Sequence, residues 1–112
     1  MGGMEDLEKN IGKVPLIFRE LADMDPEMHD KILAIDNMIW GDGALTRQHK
    51  KIIAIAIAAS LRDGDAVSAQ MAGAKNLGIK KEEIEEGLKV AFLLSGMPAY
   101  VQGRAKLEKL YQ

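Results

Sequence analysis

The sequence contains no cysteine, and this absence excludes several kinds of chemistry at once. Disulfide bonds, zinc sites built on thiolates and catalysis by a thiol nucleophile all require a residue that the chain does not have. No pair or triad of His, Asp and Glu has the spacing of metal ligands either. We therefore expect neither a metal ion nor another cofactor.

Aromatic residues and charge of one sign are also scarce. Aromatics make up 4% of the 112 residues, and 15 basic against 17 acidic side chains give a formal net charge of -2. Nucleic-acid-binding proteins carry clustered Lys and Arg in clear excess, so we expect no nucleic-acid partner. The longest apolar run, residues 52–60, is about half the roughly 20 residues of a membrane span, and the first ten residues are polar. These features predict a single domain over residues 1–112, located in the cytoplasm and without a membrane partner.

The sequence does contain helical signals from end to end. An Asp-Pro start signal at residues 25–26 precedes apolar residues at helical spacing, namely Met28, Ile32, Ile35 and Ile39. Further helices are expected from Pro15 to about Met24, from an N-cap at Thr46 to about Leu61, from Asp63 or Asp65 to Gly78, from Lys80 to Gly96, and from Pro98 onward. No segment alternates with period two for long enough to form a strand. The predicted fold class is all-α.

The central helix, residues 47–61, is composed almost entirely of Ala and Ile after its first turn. A helix that is apolar on every side must be covered on every side. In one interpretation, the other helices of the same chain cover it. In the other, a second subunit supplies part of the cover, and we expect this homo-oligomer because a chain of 112 residues has few helices to enclose such a rod.

Three segments occur in the order and at the spacing of a known family. They are "WGD" at residues 40–42, "AQMAGAKNLGIKKEEIEE" at residues 69–86 and "GMPA" at residues 96–99. On these segments the chain resembles the carboxymuconolactone decarboxylase-like family, which includes the alkylhydroperoxidase D-type proteins, over about residues 32–110. The resemblance implies an all-helical bundle of the alkylhydroperoxidase D-like type with an antiparallel central helix pair, assembled as a trimer or a hexamer.

The resemblance also identifies positions at which the chain departs from the peroxidase branch of that family. That branch has a Cys-x-x-Cys-x-x-x-His sequence and a Glu twelve residues before the first Cys. The Glu position falls on Lys51, the Cys positions on Asp63 and Ala66, and the His position on Gln70. Thiol peroxidase activity is therefore rejected. The likeness is closer to the cysteine-free decarboxylase branch, which implies loss of carbon dioxide from a small carboxylated lactone, although that branch keeps the His that Gln70 replaces here.

Such a decarboxylation leaves negative charge on a carbonyl oxygen, which needs a cation or hydrogen-bond donors, and then a proton must return to carbon. Lys51 is a cation on an otherwise apolar helix face. It lies roughly 16 Å of helix before the turn, and Gln70 lies roughly 10 Å after it. If the two helices pack antiparallel, both side chains reach one cavity. Lys51 would pair with a substrate carboxylate or stabilise the charge, and Gln70 would donate its amide N–H.

Three further residues are candidates. His49 is an alternative proton donor, and Trp40 and Asp63 are candidates for substrate binding. Each candidate also has a structural interpretation: a solvated lysine, a helix-to-helix hydrogen bond at Gln70, a helix cap at Asp63, a surface histidine and a packing tryptophan. Two functions therefore remain open. One is a decarboxylase acting on a small lactone or organic acid, and the other is a non-catalytic oligomer that binds a small ligand or is purely structural.

Overall fold

The computed structural model describes residues 16–112, and these form six helices and no strand. In chain order they are α1 (Leu16–Met24), α2 (Pro26–Trp40), α3 (Arg47–Ser60), α4 (Gly64–Asn76), α5 (Lys81–Ser95) and α6 (Met97–Leu110). This arrangement confirms the predicted all-α class. The predicted helix start at Pro15 lies outside the described residues. No helix in this part of the chain is both long and apolar enough to cross a membrane.

Three helices begin at side chains that the sequence offers as N-caps. The capping oxygen in each case accepts a backbone N–H from three residues further on, which satisfies a donor with no partner inside the helix. The pairs are Met28 to Asp25 at 3.2 Å, His49 to Thr46 at 3.2 Å and Ala66 to Asp63 at 3.1 Å. Of the two candidate caps for α4, Asp63 is therefore the one used.

Two glycines end helices where the sequence predicts them. Gly78 follows α4 with a φ of 78°, and the N–H of Ile79 then donates to the carbonyl oxygen of Ala74 at 3.0 Å. Gly96 separates α5 from α6 with a φ of 93°. A positive φ of this size favours glycine because it has no Cβ. The last helix begins at Met97, one residue before the expected Pro98.

α3 is the central helix of a four-helix unit. It packs against α4, α5 and α6, while α6 also packs against α4 and α5. The core of the described chain comes from these four helices and the segment after α4, and its largest fully buried members are Ile55, Val67, Met71, Ile84, Leu88 and Leu107. α1 packs mainly on α2, where the rings of Phe18 and His29 lie 5.0 Å apart. The pair α1–α2 has no residue in this cluster, and its own buried side chains are His29 and Leu33 on α2.

Gly103 allows α6 to approach α5 closely. A Cβ added at Gly103 would lie 2.6 Å from Cδ2 of Leu88, a side chain that is fully buried. We expect Gly103→Ala to lower the free energy of unfolding in urea by about 1–3 kcal/mol, because the core must shift to admit a methyl group. Gly64→Ala is the matched control, since its Cβ would meet only the side-chain ends of Lys106 at 3.4 Å and Gln102 at 3.5 Å. Equal stability of the two variants would contradict this account of the contact.

Candidate functional site

A buried lysine joins the two central helices. Nζ of Lys51, on α3, donates a hydrogen bond of 2.7 Å to Oε1 of Gln70, on α4. Lys51 has no solvent-accessible surface, which is rare for a lysine. Because the turn between the helices spans only residues 61–63, this contact shows that α3 and α4 run antiparallel and that the two side chains face each other.

Trp40 covers the same ammonium group. Its ring centroid lies 3.8 Å from Nζ of Lys51, within the range of a cation–π interaction. The indole Nε1 of Trp40 donates a hydrogen bond of 2.8 Å to Oδ1 of Asp36, one turn earlier on α2. The last turn of α2 therefore forms one wall of the site, and the amide of Gln70 forms another.

Burial is the main influence on the protonation of Lys51. It lowers the pKa of Lys51 from 10.5 to about 8, because the charged form loses its hydration. The negative charge of Asp36 acts in the opposite direction and raises this pKa, and the positive charge of Arg47 lowers it further. An amine poised this close to neutrality in a partly apolar site is a candidate for proton transfer.

Two basic side chains hold the last turn of α2 in place. Nζ of Lys50 donates to the carbonyl oxygens of Ile39 at 2.7 Å and Gly41 at 2.6 Å. Nε of Arg47 donates to the carbonyl oxygen of Trp40 at 3.3 Å. These carbonyls have no partner within the helix at its C-terminus, and cations are favourable there. Lys50 and Arg47 therefore position Trp40 over Lys51.

Sequence reasoning missed Asp36 and Lys50. Asp36 lies four residues before Trp40 and so on the same face of α2, which was a usable signal. The contact of Lys50 joins residues nine and eleven positions apart across a loop, and no periodicity indicates it. Both residues help to position Trp40, and Asp36 also raises the pKa of Lys51 directly.

The structure does not bring His49 and Asp63 to this site. His49 is exposed, and at two residues from Lys51 it points away from that residue's face of α3. Asp63 is also exposed. It caps α4 at the turn that joins α3 to α4, and roughly 14 Å of helix separate Lys51 from Ser60, the residue at which α3 ends. The site therefore consists of Lys51, Gln70 and Trp40, the members of the predicted set that meet.

Two grooves on the described surface border α3 or α4 but lie away from Lys51. One, of about 330 Å³, runs between α3 and α5 and is lined mainly by apolar residues that include Ile53, Ile57, Val90 and Leu94. The other, of about 280 Å³, lies between α4 and α6. Lys51 lines neither groove. Within residues 16–112 no group of three His, Asp or Glu side chains is placed to hold a metal ion.

Comparison with known proteins places the chain among relatives. The pattern of the carboxymuconolactone decarboxylase family matches residues 26–109. Uncharacterized protein MJ0742 of Methanocaldococcus jannaschii is 42% identical over 86 residues, which are 76% of this chain and 83% of that protein. Uncharacterized protein 4 in the cox locus of Paracoccus denitrificans is 30% identical over 81 residues, which are 72% of this chain and 73% of that protein.

A solved structure shares the fold. The crystal structure of a protein of Burkholderia xenovorans LB400, proposed to be a carboxymuconolactone decarboxylase, superposes with a TM-score of 0.80. The match covers 95% of this chain and 84% of that one at 22% sequence identity. At this identity the likeness concerns the helical fold, and it confirms the bundle architecture that the sequence predicts.

Proposed function

The chain belongs to the carboxymuconolactone decarboxylase family, and from that premise we propose that it is a lyase that removes carbon dioxide from a small carboxylated lactone or a related organic acid. The observation that carries the proposal is the buried Lys51 ammonium, held between the amide of Gln70 and the ring of Trp40. The family supplies the class of reaction, and this lysine supplies a group that can perform it.

The first requirement of the reaction is a positive charge where negative charge develops. When the carboxyl group leaves as carbon dioxide, the electron pair of the broken bond moves toward the lactone carbonyl oxygen. A fixed ammonium in a site without bulk water stabilises that oxygen more strongly than a solvated one would. Lys51 is such a group, because its side chain is fully buried and its position is fixed by a 2.7 Å hydrogen bond.

The second requirement is a proton for the carbon atom. The decarboxylase branch has a His at the position of Gln70, and an amide has no pKa near neutrality with which to replace it. Lys51, with a pKa of about 8, is protonated at pH 7 and acidic enough to donate. We assign both tasks to Lys51, which first stabilises the oxygen and then returns the proton.

Gln70 and Trp40 orient these groups. Since Oε1 of Gln70 accepts the Lys51 hydrogen bond, its Nε2 is left to donate to a substrate oxygen beside Nζ. The ring of Trp40, fixed through Asp36, provides a flat apolar surface suited to a small cyclic ligand. A substrate would enter by displacing this ring from Nζ.

One observation favours the second candidate function, a non-catalytic oligomer that binds a small ligand or is purely structural. Lys51 is fully buried, so its ammonium also suits a structural role as a link between α2, α3 and α4. Turnover of a substrate separates the two functions.

We also propose that further copies of the chain cover the apolar groove between α3 and α5. Ile57, Val90 and Leu94, which line it, are 54%, 57% and 81% exposed. Contiguous apolar surface of this kind is typical of an interaction site. Covering it would complete the enclosure of α3, the helix whose composition indicates an oligomer.

The test is an assay with carboxymuconolactone, followed by ultraviolet absorbance. We expect turnover, with a rate that falls as the pH rises through about 8, because the neutral amine of Lys51 neither stabilises the oxygen nor donates the proton. A folded protein that sediments as an oligomer but shows no turnover would instead support the non-catalytic alternative. Turnover that is unchanged between pH 7 and pH 9.5 would remove Lys51 as the proton donor.

A further inference from the structure

The surroundings of Lys51 suit a second kind of chemistry. Gln70 and Trp40, which contact Nζ, are both uncharged. Arg47, which lies one turn away on the same face of α3, carries a positive charge that lowers the pKa of Lys51. Burial and this neighbouring cation favour the neutral amine of Lys51, the form in which a lysine is a nucleophile, while the contacts with Gln70 and Trp40 favour the ammonium.

We propose that Lys51 is also a covalent catalyst, whose amine captures the carbonyl group of a small 3-oxo acid as an imine and so promotes its decarboxylation. This inference rests on the proposed function in that it uses the same site and the same loss of carbon dioxide. It differs in the substrate class, which is an open-chain oxo acid, and in the bond between protein and substrate.

Each step balances without an oxidant or a reductant. Nζ attacks the carbonyl carbon, and the carbonyl oxygen leaves as water with one proton from the amine and one from solvent, which gives a protonated imine. The bond to the carboxylate then breaks, carbon dioxide leaves, and the electron pair moves into the imine to form an enamine. A proton returns to carbon, and water hydrolyses the imine to release a ketone and the free amine of Lys51.

The protonation of Lys51 supplies the nucleophile. Because burial lowers the pKa of Lys51 to about 8, a larger fraction of the molecules has the neutral amine at pH 7 than for a lysine of pKa 10.5. The charged groups that set this value are Asp36 on α2, which opposes the neutral form, and Arg47 on α3, which favours it. α4 contributes the neutral Gln70.

Access to the amine depends on Trp40. This residue is half-buried and lies at the end of α2, a helix with no residue in the core cluster of the other four helices. We expect its ring to leave Nζ while that cluster stays packed. The energy to be overcome is the cation–π contact with Lys51 and the hydrogen bond to Asp36. A 3-oxo acid, with few atoms, needs only a small opening.

Reductive trapping tests the proposal. The protein is incubated with acetoacetate and sodium cyanoborohydride at neutral pH, and the modified lysines are identified by peptide mass mapping. We expect Lys51 to be modified at least about tenfold more than any other lysine, as its larger neutral fraction dictates. The mass should correspond to the reduced imine after loss of carbon dioxide. Modification spread evenly over the exposed lysines, or none at Lys51, would overturn the inference.

Single substitutions test whether the adduct forms on Lys51. Lys51→Arg keeps a cation but has no primary amine, so the adduct should vanish, whereas Lys31→Arg, at an exposed lysine paired with Glu27, should leave it unchanged. Trp40→Ala should speed adduct formation because it removes the wall. Peptide mass mapping of the unaltered protein tests the proposal even if a variant fails to fold.

Lactone turnover without an adduct at Lys51 supports the proposed function and overturns this inference. An adduct at Lys51 without lactone turnover supports this inference and overturns the proposed lactone decarboxylation.

Discussion

Replacing Lys51 by methionine should lower kcat for decarboxylation by about 100-fold to 1,000-fold, the effect of removing one group that stabilises a developing oxyanion. Methionine has nearly the length of lysine and fills the same space, but it carries neither a charge nor a proton to donate. The variant therefore removes the proposed chemistry while keeping the packing against Trp40. Initial rates at saturating substrate provide the measurement.

The matched control for this prediction is the same substitution at an exposed position. Lys31 lies on α2 and pairs with Glu27 at 2.9 Å, with both side chains largely in solvent. Lys31→Met should leave kcat unchanged, since an exposed ion pair contributes little. If Lys51→Met retained full activity with an unchanged helical spectrum, the ammonium would have no part in the reaction.

The pairing of Lys51 with Gln70 could be predicted from the sequence because it depends on local quantities. The rise per residue, the short polar turn and the N-cap at Asp63 together fix how far each residue lies from the turn. The two distances, roughly 16 Å and roughly 10 Å, differ by about one turn of helix, which two long side chains on antiparallel helices can span. The 2.7 Å hydrogen bond confirms that placement.

The contacts that complete the site could not be predicted in this way. The position of Trp40 over Lys51 depends on the path of residues 41–46, which have no regular structure. That path is fixed by Lys50 and Arg47, whose side chains bind carbonyl oxygens at the end of α2. Hydrogen bonds from a side chain to a distant backbone leave no periodic signal, so no pattern in the sequence indicates this arrangement.

The four positions at which the chain departs from the peroxidase branch separate into two groups. Lys51 and Gln70 contact each other and replace a Glu and a His of that branch, so an ammonium and an amide stand where it has two proton-transfer groups. Asp63 and Ala66 replace the two Cys positions, and here they form a helix cap, with the N–H of Ala66 bonded to the carboxylate of Asp63. The two positions that the resemblance aligns with cysteines therefore serve α4 itself, and the chemistry proposed for this chain lies roughly 10 Å further along that helix, at Gln70.

The stability of the protein should rise between pH 8 and pH 10.5 by about 3 kcal/mol through Lys51 alone. Below pH 8 the folded and unfolded chains both bind the proton, and the full cost of burying the cation is present. Between about 8 and the unfolded value of 10.5 the folded chain has lost a proton that the unfolded chain still binds, so the free energy of unfolding increases with pH. Above that range neither state binds it and the increase ends.

Other groups titrate in the same range, so the measurement must be a difference between two proteins. Burial raises the pKa of Tyr111, for example, which contributes in the opposite direction as the unfolded chain loses that proton first. Urea unfolding of the unaltered protein and of Lys51→Met, at one fixed protein concentration because any assembly adds to stability, cancels these contributions. The unaltered protein should gain about 3 kcal/mol relative to Lys51→Met from pH 7 to pH 10.5. Parallel curves would mean that Lys51 keeps an ordinary pKa, in which case neither a proton donor near neutrality nor a free amine is present at this position.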